Sequence, residues 1–181
     1  MRMNKNTVRA AILGMLCATA SPAYADATVI RAAAWLDVET GRSTSPAVIV
    51  VEDERITAIN PDQAPPDATV VDLPGLTVLP GMIDVHTHLA YEIVPQWETE
   101  VVRWMPGEFA IRAAKNARIT LMAGFTTVRE LGAAPGFADV ATQRAIDRGD
   151  IVGPHVIPSG HALSTTGGHC DLTGFAPGVV E

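Results

Sequence analysis

Cysteine is scarce in this 181-residue sequence, which contains only Cys17 and Cys170. Cys17 lies in a segment that we predict to be removed from the mature chain, so Cys170 is left without an internal partner. No disulfide is therefore expected to stabilise the fold, even in an oxidising compartment. A content of 48% hydrophobic and 18% charged residues argues against disorder and indicates a domain held by an apolar core.

The sequence also lacks an apolar run long enough to span a membrane. The N-terminal apolar run, residues 10–20, has about half of the ~20 residues that a membrane span needs. It follows three basic residues and precedes the small-x-small site Ala23-Tyr24-Ala25. We predict that residues 1–25 are a signal peptide cleaved after Ala25, that the protein is periplasmic or secreted, and that no stable membrane span remains. A membrane anchor is the alternative interpretation, whereas Leu16 before Cys17 argues against a lipoprotein signal.

Basic residues are also scarce in this sequence. The first 25 residues carry three basic and no acidic side chains, so the mature chain has 10 basic and 20 acidic residues, a formal charge of −10. Such a chain repels nucleic acid, and we expect no nucleic-acid partner.

Residues 26–79 predict a small antiparallel β unit. Apolar stretches at 47–51 and 55–59 flank the acidic turn Glu52-Asp53-Glu54, as expected of a hairpin. A β-prone run at 27–36 precedes it, and two short predicted strands, 69–73 and 76–79, are separated by Pro74-Gly75.

Residues 80–159 predict the order strand, helix, strand, helix, strand. The strands are expected at 80–88, 125–131 and 155–159, with the first buried on both faces. The first helix has an apolar stripe from Phe109 to Leu121 and ends at Gly124. The second has an apolar stripe made of Phe137, Val140, Ala141 and Ala145 and ends at Gly149. This βαβαβ order is typical of an α/β fold with a parallel sheet.

The first of these strands ends in Asp84-Val85-His86-Thr87-His88. Strand side chains alternate between faces, so the two histidines and Asp84 point to the same side. Imidazoles placed in this way can bind a divalent metal, and a nearby carboxylate can orient them. We therefore predict His86 and His88 as metal ligands, with surface or core polar groups as the alternative. For Asp84, a supporting role behind the histidines and a packing or capping role are both open.

Three motifs show what the chain resembles: Leu-Pro-Gly-Met-Ile-Asp-Val-His-Thr-His at 79–88, Gly-Phe-Thr-Thr-Val-Arg-Glu-Leu-Gly at 124–132, and Thr-Gly-Gly-His at 166–169. The first resembles the amidohydrolase superfamily. The second and third are similar to its imidazolonepropionase-like group, which includes metal-dependent Xaa-Pro dipeptidases. Glu130, where relatives often carry aspartate, and Cys170, where glycine is common, depart from the group's pattern.

The resemblance implies a (β/α)8 TIM barrel flanked by a β-sandwich, with two divalent metal ions, expected to be zinc, in the complete enzyme. Residues 26–79 then form part of the sandwich, and 80–181 form the first three β/α units of an incomplete barrel. Relatives also use a carboxylated lysine and further histidines from later strands. The only lysines here are Lys5 and Lys115, neither of which lies in such a strand. We therefore expect a fragment whose catalytic acid lies beyond Glu181.

Other polar residues have weaker assignments. His169 follows the third strand on a glycine-rich loop, and we predict that it contacts substrate, an exposed loop position being the alternative. His161 and His155 are expected to be structural. Arg129 and Glu130 are expected to pair with each other at the end of the second strand, and Cys170 is expected to be an unreactive thiol because no base is assured beside it.

The function implied by the resemblance is metal-dependent hydrolysis of amide bonds in a small-molecule or dipeptide substrate, by metal-activated water. An Xaa-Pro dipeptide or an N-acyl amino acid is the expected substrate. A cyclic amidase or deaminase of the same superfamily is one alternative. The other is a half-barrel without activity of its own, whose exposed sheet edge favours association with another chain, including a homo-oligomer.

Overall fold

A computed structural model describes residues 27–132 and 136–170 of the chain. The chain divides into two compact units between Leu79 and Pro80. The predicted signal peptide and Asp171 onward lie outside the described residues, so the structure does not address them.

The first unit is a five-stranded sheet. Its strands are β1 (Thr28–Asp37), β2 (Arg42–Thr44), β3 (Ala47–Glu52), β4 (Arg55–Ile59) and β5 (Thr69–Val78). The long strand β1 is central: one edge pairs antiparallel with β2 and β3, and the other pairs parallel with β5. Val29, Ala47, Ile49 and Val50 are buried and form its core.

The predicted hairpin with an acidic turn is confirmed. Glu52 pairs with Arg55, and the two residues between them, Asp53 and Glu54, have φ angles of 49° and 62°. Both residues are therefore left-handed, the backbone that a tight two-residue hairpin turn requires.

The predicted division of residues 69–79 into two strands is wrong, because β5 runs from Thr69 to Val78 as one strand beside β1. A register shift in the pairing, between Ala32 and Ala34, allows the strand to continue past Pro74-Gly75. Gly75 has a φ of 76°, which a residue without Cβ adopts at little cost.

The second unit has α/β architecture, and its βαβαβ order is confirmed. Its elements are β6 (Met82–Thr87), α1 (Trp97–Arg103), α2 (Pro106–Met122), β7 (Phe125–Glu130), α3 (Ala138–Asp147) and β8 (His155–Ile157). The strands are parallel, in the order β6-β7-β8. The short helix α1 was not predicted.

Helix α2 supplies three of the eight buried residues in the core cluster of this unit. Phe109, Ala113 and Ala117 are fully buried, and they pack with Val128 of β7 and Val156 of β8. The periodic stripe predicted for this helix is confirmed. Gly124, with a φ of 98°, reverses the chain between α2 and β7.

Two burial predictions are wrong. Strand β6 was expected to be buried on both faces, yet Ile83 is 65% and Val85 70% exposed. Among the described residues β6 is an edge strand paired only with β7, and the helices pack mainly on β7 and β8.

The apolar stripe predicted for α3 is the second error. The buried residues of α3 are Ala138, Asp139 and Thr142, whereas Phe137 and Ala141 are exposed. The side chains of Asp139 and Thr142 can be buried because each makes hydrogen bonds to the backbone. The Thr142 hydroxyl donates to the carbonyl of Ala138 at 2.7 Å, and the Asp139 carboxyl accepts from two backbone N–H groups.

Candidate metal centre

The three parallel strands of the second unit end at the same edge of the sheet, and this edge carries the predicted site. His86 is part of β6, and His88 follows that strand directly. Their ring centroids lie 5.3 Å apart with the planes inclined by 73°. The structure thus brings together the two imidazoles that the sequence singled out.

One hydrogen bond defines the chemical state of His88. Its Nδ1 lies 3.2 Å from the carbonyl oxygen of Gly132, in the segment that follows β7. A carbonyl oxygen only accepts, so Nδ1 carries the proton in this contact, and Nε2 is the nitrogen on which the lone pair of the corresponding tautomer resides. This is the arrangement that metal-ligating histidines use, with one nitrogen anchored and the other available.

Tyr91 packs against the same histidine. Its ring lies edge-on to that of His88, with centroids 6.3 Å apart, and its backbone N–H donates to the carbonyl of His88 at 3.2 Å. Burial, reinforced by the nearby Glu130 carboxyl, raises the pKa of the Tyr91 hydroxyl. The Tyr91 side chain is therefore an uncharged group packed beside the ring of His88.

Asp84 contacts the backbone in this structure. Its Oδ1 accepts the N–H of His86 at 3.0 Å, two residues along the strand. This contact is local to β6, and support of a histidine ring by Asp84 stays a prediction.

The surroundings of Glu130 differ from those predicted from the sequence. The expected pair with Arg129 is wrong: Arg129 is exposed, Glu130 is 1% exposed, and the ion pairs of the described residues do not include them. The two are neighbours on a strand, so their side chains leave from opposite faces.

The buried Glu130 carboxyl instead binds the residues on either side of His88. Its Oε1 accepts the backbone N–H of Leu89 at 2.6 Å and the hydroxyl of Thr87 at 3.2 Å. Burial raises the pKa of the Glu130 carboxyl, while the bonds from Leu89 and Thr87 act in the opposite direction.

Asp139, at the start of α3, is a second buried carboxyl that accepts backbone N–H groups, in this case from the segment after β8. Its Oδ2 accepts the backbone N–H groups of Ser159 and Gly160 at 2.9 and 2.7 Å, just after β8. Phe137 packs on the ring of His161, with centroids 4.3 Å apart. Asp139 was not singled out from the sequence, because a polar pair at i, i+3 such as Asp139 and Thr142 indicates a shared helix face but not a buried one.

The remaining candidates are not assembled into the centre. His161, His169 and Cys170 are exposed, and His155 is exposed at the opposite, amino end of β8. Within residues 27–132 and 136–170, no group of three or more histidine, cysteine or acidic side chains is placed to hold a metal ion. The role of His86 and His88 as metal ligands therefore stays a prediction. Neither of these ranges contains a helix with the length and hydropathy of a membrane span.

The sequence comparison decides the family. Residues 77–175, which include both histidines and the whole of β6 to β8, match the amidohydrolase family. The chain belongs to the amidohydrolase family. Enzymes of this family are hydrolases that act on carbon–nitrogen bonds of small-molecule substrates, and they typically bind divalent metals. The family recognised from the three motifs is therefore confirmed.

Individual relatives agree with this assignment. The chain is 49% identical to the imidazolonepropionase of Micrococcus luteus over 53 residues, 29% of this chain and 13% of that protein. It is 34% identical to the ochratoxinase of Aspergillus niger over 105 residues, 57% of this chain and 21% of that protein. The crystal structure of a Xaa-Pro dipeptidase with methionine bound in its active site superposes with a TM-score of 0.72 at 30% identity. That match covers 83% of this chain and 37% of the dipeptidase, so the chain spans well under half the length of these relatives.

Proposed function

We propose that the protein containing this chain is a metal-dependent amide hydrolase in which His86 and His88 bind a divalent metal, with zinc as the expected ion. The observation that carries the proposal is the contact between His88 Nδ1 and the Gly132 carbonyl, which leaves Nε2 free beside the ring of His86. Family membership supplies the expectation that the metal serves hydrolysis of a carbon–nitrogen bond.

A divalent metal at this place would supply a water deprotonated near neutral pH and would polarise the scissile carbonyl. The residues of this chain have two tasks in that chemistry. His86 and His88 would bind the metal through ring nitrogens, the carbonyl of Gly132 accepts from the ring of His88, and the Glu130 carboxyl accepts from the backbone N–H of the next residue, Leu89. Barrel enzymes draw catalytic residues from several strands, so we assign the other ligands and the general acid to later parts of the protein.

We further propose that β6 to β8 are the first three strands of a (β/α)8 barrel and that residues 26–79 belong to a β-sandwich. The exposed apolar residues support this proposal. Ile83 and Val85 of β6 and Ile111 and Met122 of α2 are all more than half exposed, as expected of surfaces that further strands and helices cover. On this proposal residues 27–170 alone are catalytically incomplete.

For the substrate we propose an Xaa-Pro dipeptide or an N-acyl amino acid, on the basis of the similarity to the Xaa-Pro dipeptidase. A cyclic amide is the second candidate, supported by the 49% identity to imidazolonepropionase over 53 residues. Hydrolysis rates on a panel of Xaa-Pro dipeptides, N-acyl amino acids and cyclic amides distinguish them. We also propose export by the predicted signal peptide, which N-terminal sequencing of the secreted or periplasmic protein tests by a start at Asp26.

The test of the metal proposal uses the complete coding sequence. Chelation should abolish hydrolysis and zinc should restore it. His86→Ala and His88→Ala should each lower kcat/KM at least about 100-fold, since each removes a ligand of the ion that activates water. His155→Ala is the matched control, an exposed histidine at the other end of the sheet, and should leave the rate unchanged. Full activity after metal removal, or in both ligand variants, contradicts the proposal.

A further inference from the structure

The residues on both sides of His88 are tied to one oxygen atom. Leu89 donates its backbone N–H to Glu130 Oε1 at 2.6 Å, and Thr87 donates its hydroxyl to the same oxygen at 3.2 Å. That hydroxyl also lies 3.1 Å from the carbonyl of Arg129, and the N–H of Leu131 donates to the carbonyl of Thr87 at 3.3 Å. The backbone at His88 is therefore held to the end of β7 from both directions.

Glu130 also stands close in sequence to the acceptor of the His88 ring. Gly132 follows it by two residues, and its carbonyl receives the bond from Nδ1. The side chain of Glu130 thus holds the backbone on both sides of His88. The backbone of Glu130 is two residues from Gly132, whose carbonyl accepts the bond from the His88 ring. Glu130 is buried, so water does not compete for these bonds.

We infer that Glu130 is the positioning residue of His88: it keeps the ring in the Nδ1–H tautomer, which leaves the lone pair on Nε2. This inference extends the proposed function, because the orientation matters most if His88 is a metal ligand. Groups behind a metal ligand typically change metal affinity about 10- to 100-fold when they are removed. Glu130 itself is not assigned a bond to metal or substrate.

The experiment measures the His88 ring directly. Two-bond 1H–15N correlation spectra of the complete protein labelled with [15N]histidine report the tautomer, and titration with zinc chloride reports metal binding at the same ring. Glu130→Ala should turn the single Nδ1–H tautomer into a mixture and weaken zinc binding at His88 at least about 10-fold. Glu130→Gln keeps an acceptor oxygen for both donors and should retain the wild-type tautomer.

Asp139→Ala is the matched control. Asp139 is a second buried carboxyl that accepts two backbone N–H groups, but those groups belong to the segment after β8. This variant should leave the His88 tautomer unchanged. If it disturbs His88 as much as Glu130→Ala does, general loosening explains the effect and the inference is wrong.

If Glu130→Ala does not fold, the Leu89 amide of the unmodified protein provides a second test. The amide proton of Leu89 should be shifted downfield and protected from exchange, since it makes a short bond to a carboxylate. Exchange at the rate of an exposed amide overturns the inference, as does an unchanged tautomer in Glu130→Ala. Absence of zinc binding in the complete wild-type protein contradicts the metal proposal instead, and the tautomer result still decides the role of Glu130.

Discussion

Leu89 and Glu130 are 41 positions apart in the sequence, yet the backbone N–H of Leu89 lies 2.6 Å from the Glu130 carboxylate. This bond joins the segment after β6 to the end of β7, at the sheet edge that carries His86 and His88. Asp139 makes the equivalent connection to the segment after β8. The carboxyl edge of the sheet is thus organised by two buried acids, and its stability should depend on them.

The first prediction concerns Asp139. Asp139→Ala leaves the N–H groups of Ser159 and Gly160 without their acceptor, and a buried donor without a partner costs about 1–3 kcal/mol. We expect the free energy of unfolding to fall by about 3 kcal/mol, measured by urea denaturation. Asp147→Ala, at an exposed position of the same helix, should change it by less than about 0.5 kcal/mol. Equal effects of the two variants would refute the prediction.

The second prediction compares two valines on paired strands. Val128 of β7 is fully buried, whereas Val85 of β6 is 70% exposed. In this chain Val128→Ala should lower the free energy of unfolding by about 2 kcal/mol, and Val85→Ala by less than about 0.5 kcal/mol. In the complete protein, closure of a barrel over β6 should make Val85→Ala costly as well. A negligible effect there argues against the barrel proposal.

The third prediction is a pH dependence. Arg112 of α2 donates two hydrogen bonds to Glu100 of α1, at 2.6 and 2.8 Å, and these bonds hold the pKa of the Glu100 carboxyl below its usual value of 4.5. The folded state thus binds this proton less readily than the unfolded state, so the pair stabilises the fold above about pH 4.5 and loses its effect as the pH falls through the lowered pKa.

The difference in urea midpoint between wild type and Glu100→Gln should therefore be largest near neutral pH and shrink below about pH 4.5. In an Arg112→Gln background the same comparison should show no such trend, because the two bonds that lower the pKa of Glu100 are absent. A constant difference from pH 7 to pH 3 would refute the assignment.

The fourth prediction concerns the β3–β4 turn. Asp53 and Glu54 occupy left-handed backbone conformations, which cost a residue with a side chain about 1 kcal/mol relative to glycine. Replacing the pair by Asn-Gly should raise the free energy of unfolding by about 1 kcal/mol, measured by urea denaturation. The single substitution Glu54→Gly should give most of the gain. Destabilisation by the Asn-Gly turn would show that the turn is held by contacts of the acidic side chains.

The sequence predicted those parts of the fold that depend on neighbouring residues. Alternation placed His86 and His88 together, the three- and four-residue spacing around Phe109 predicted α2, and Gly124 marked its end. These features are local, so a single sequence contains the information for them.

Contacts between residues far apart in the sequence could not be predicted from these local patterns. The partners of Glu130 lie about 40 residues earlier, and those of Asp139 about 20 residues later, so neither burial followed from the pattern around the residue. The exposure of β6 had a similar cause. An apolar strand indicates that something covers it, but only the three-dimensional arrangement shows whether the covering elements are among the described residues.

Anomalous diffraction at the zinc edge, from crystals of the complete protein grown with zinc, tests the central claim most directly. The account predicts an anomalous peak about 2.0–2.1 Å from Nε2 of His88 and from a ring nitrogen of His86, with Nδ1 of His88 still bonded to the Gly132 carbonyl. A peak at other residues, with both histidine rings uncoordinated, would contradict it.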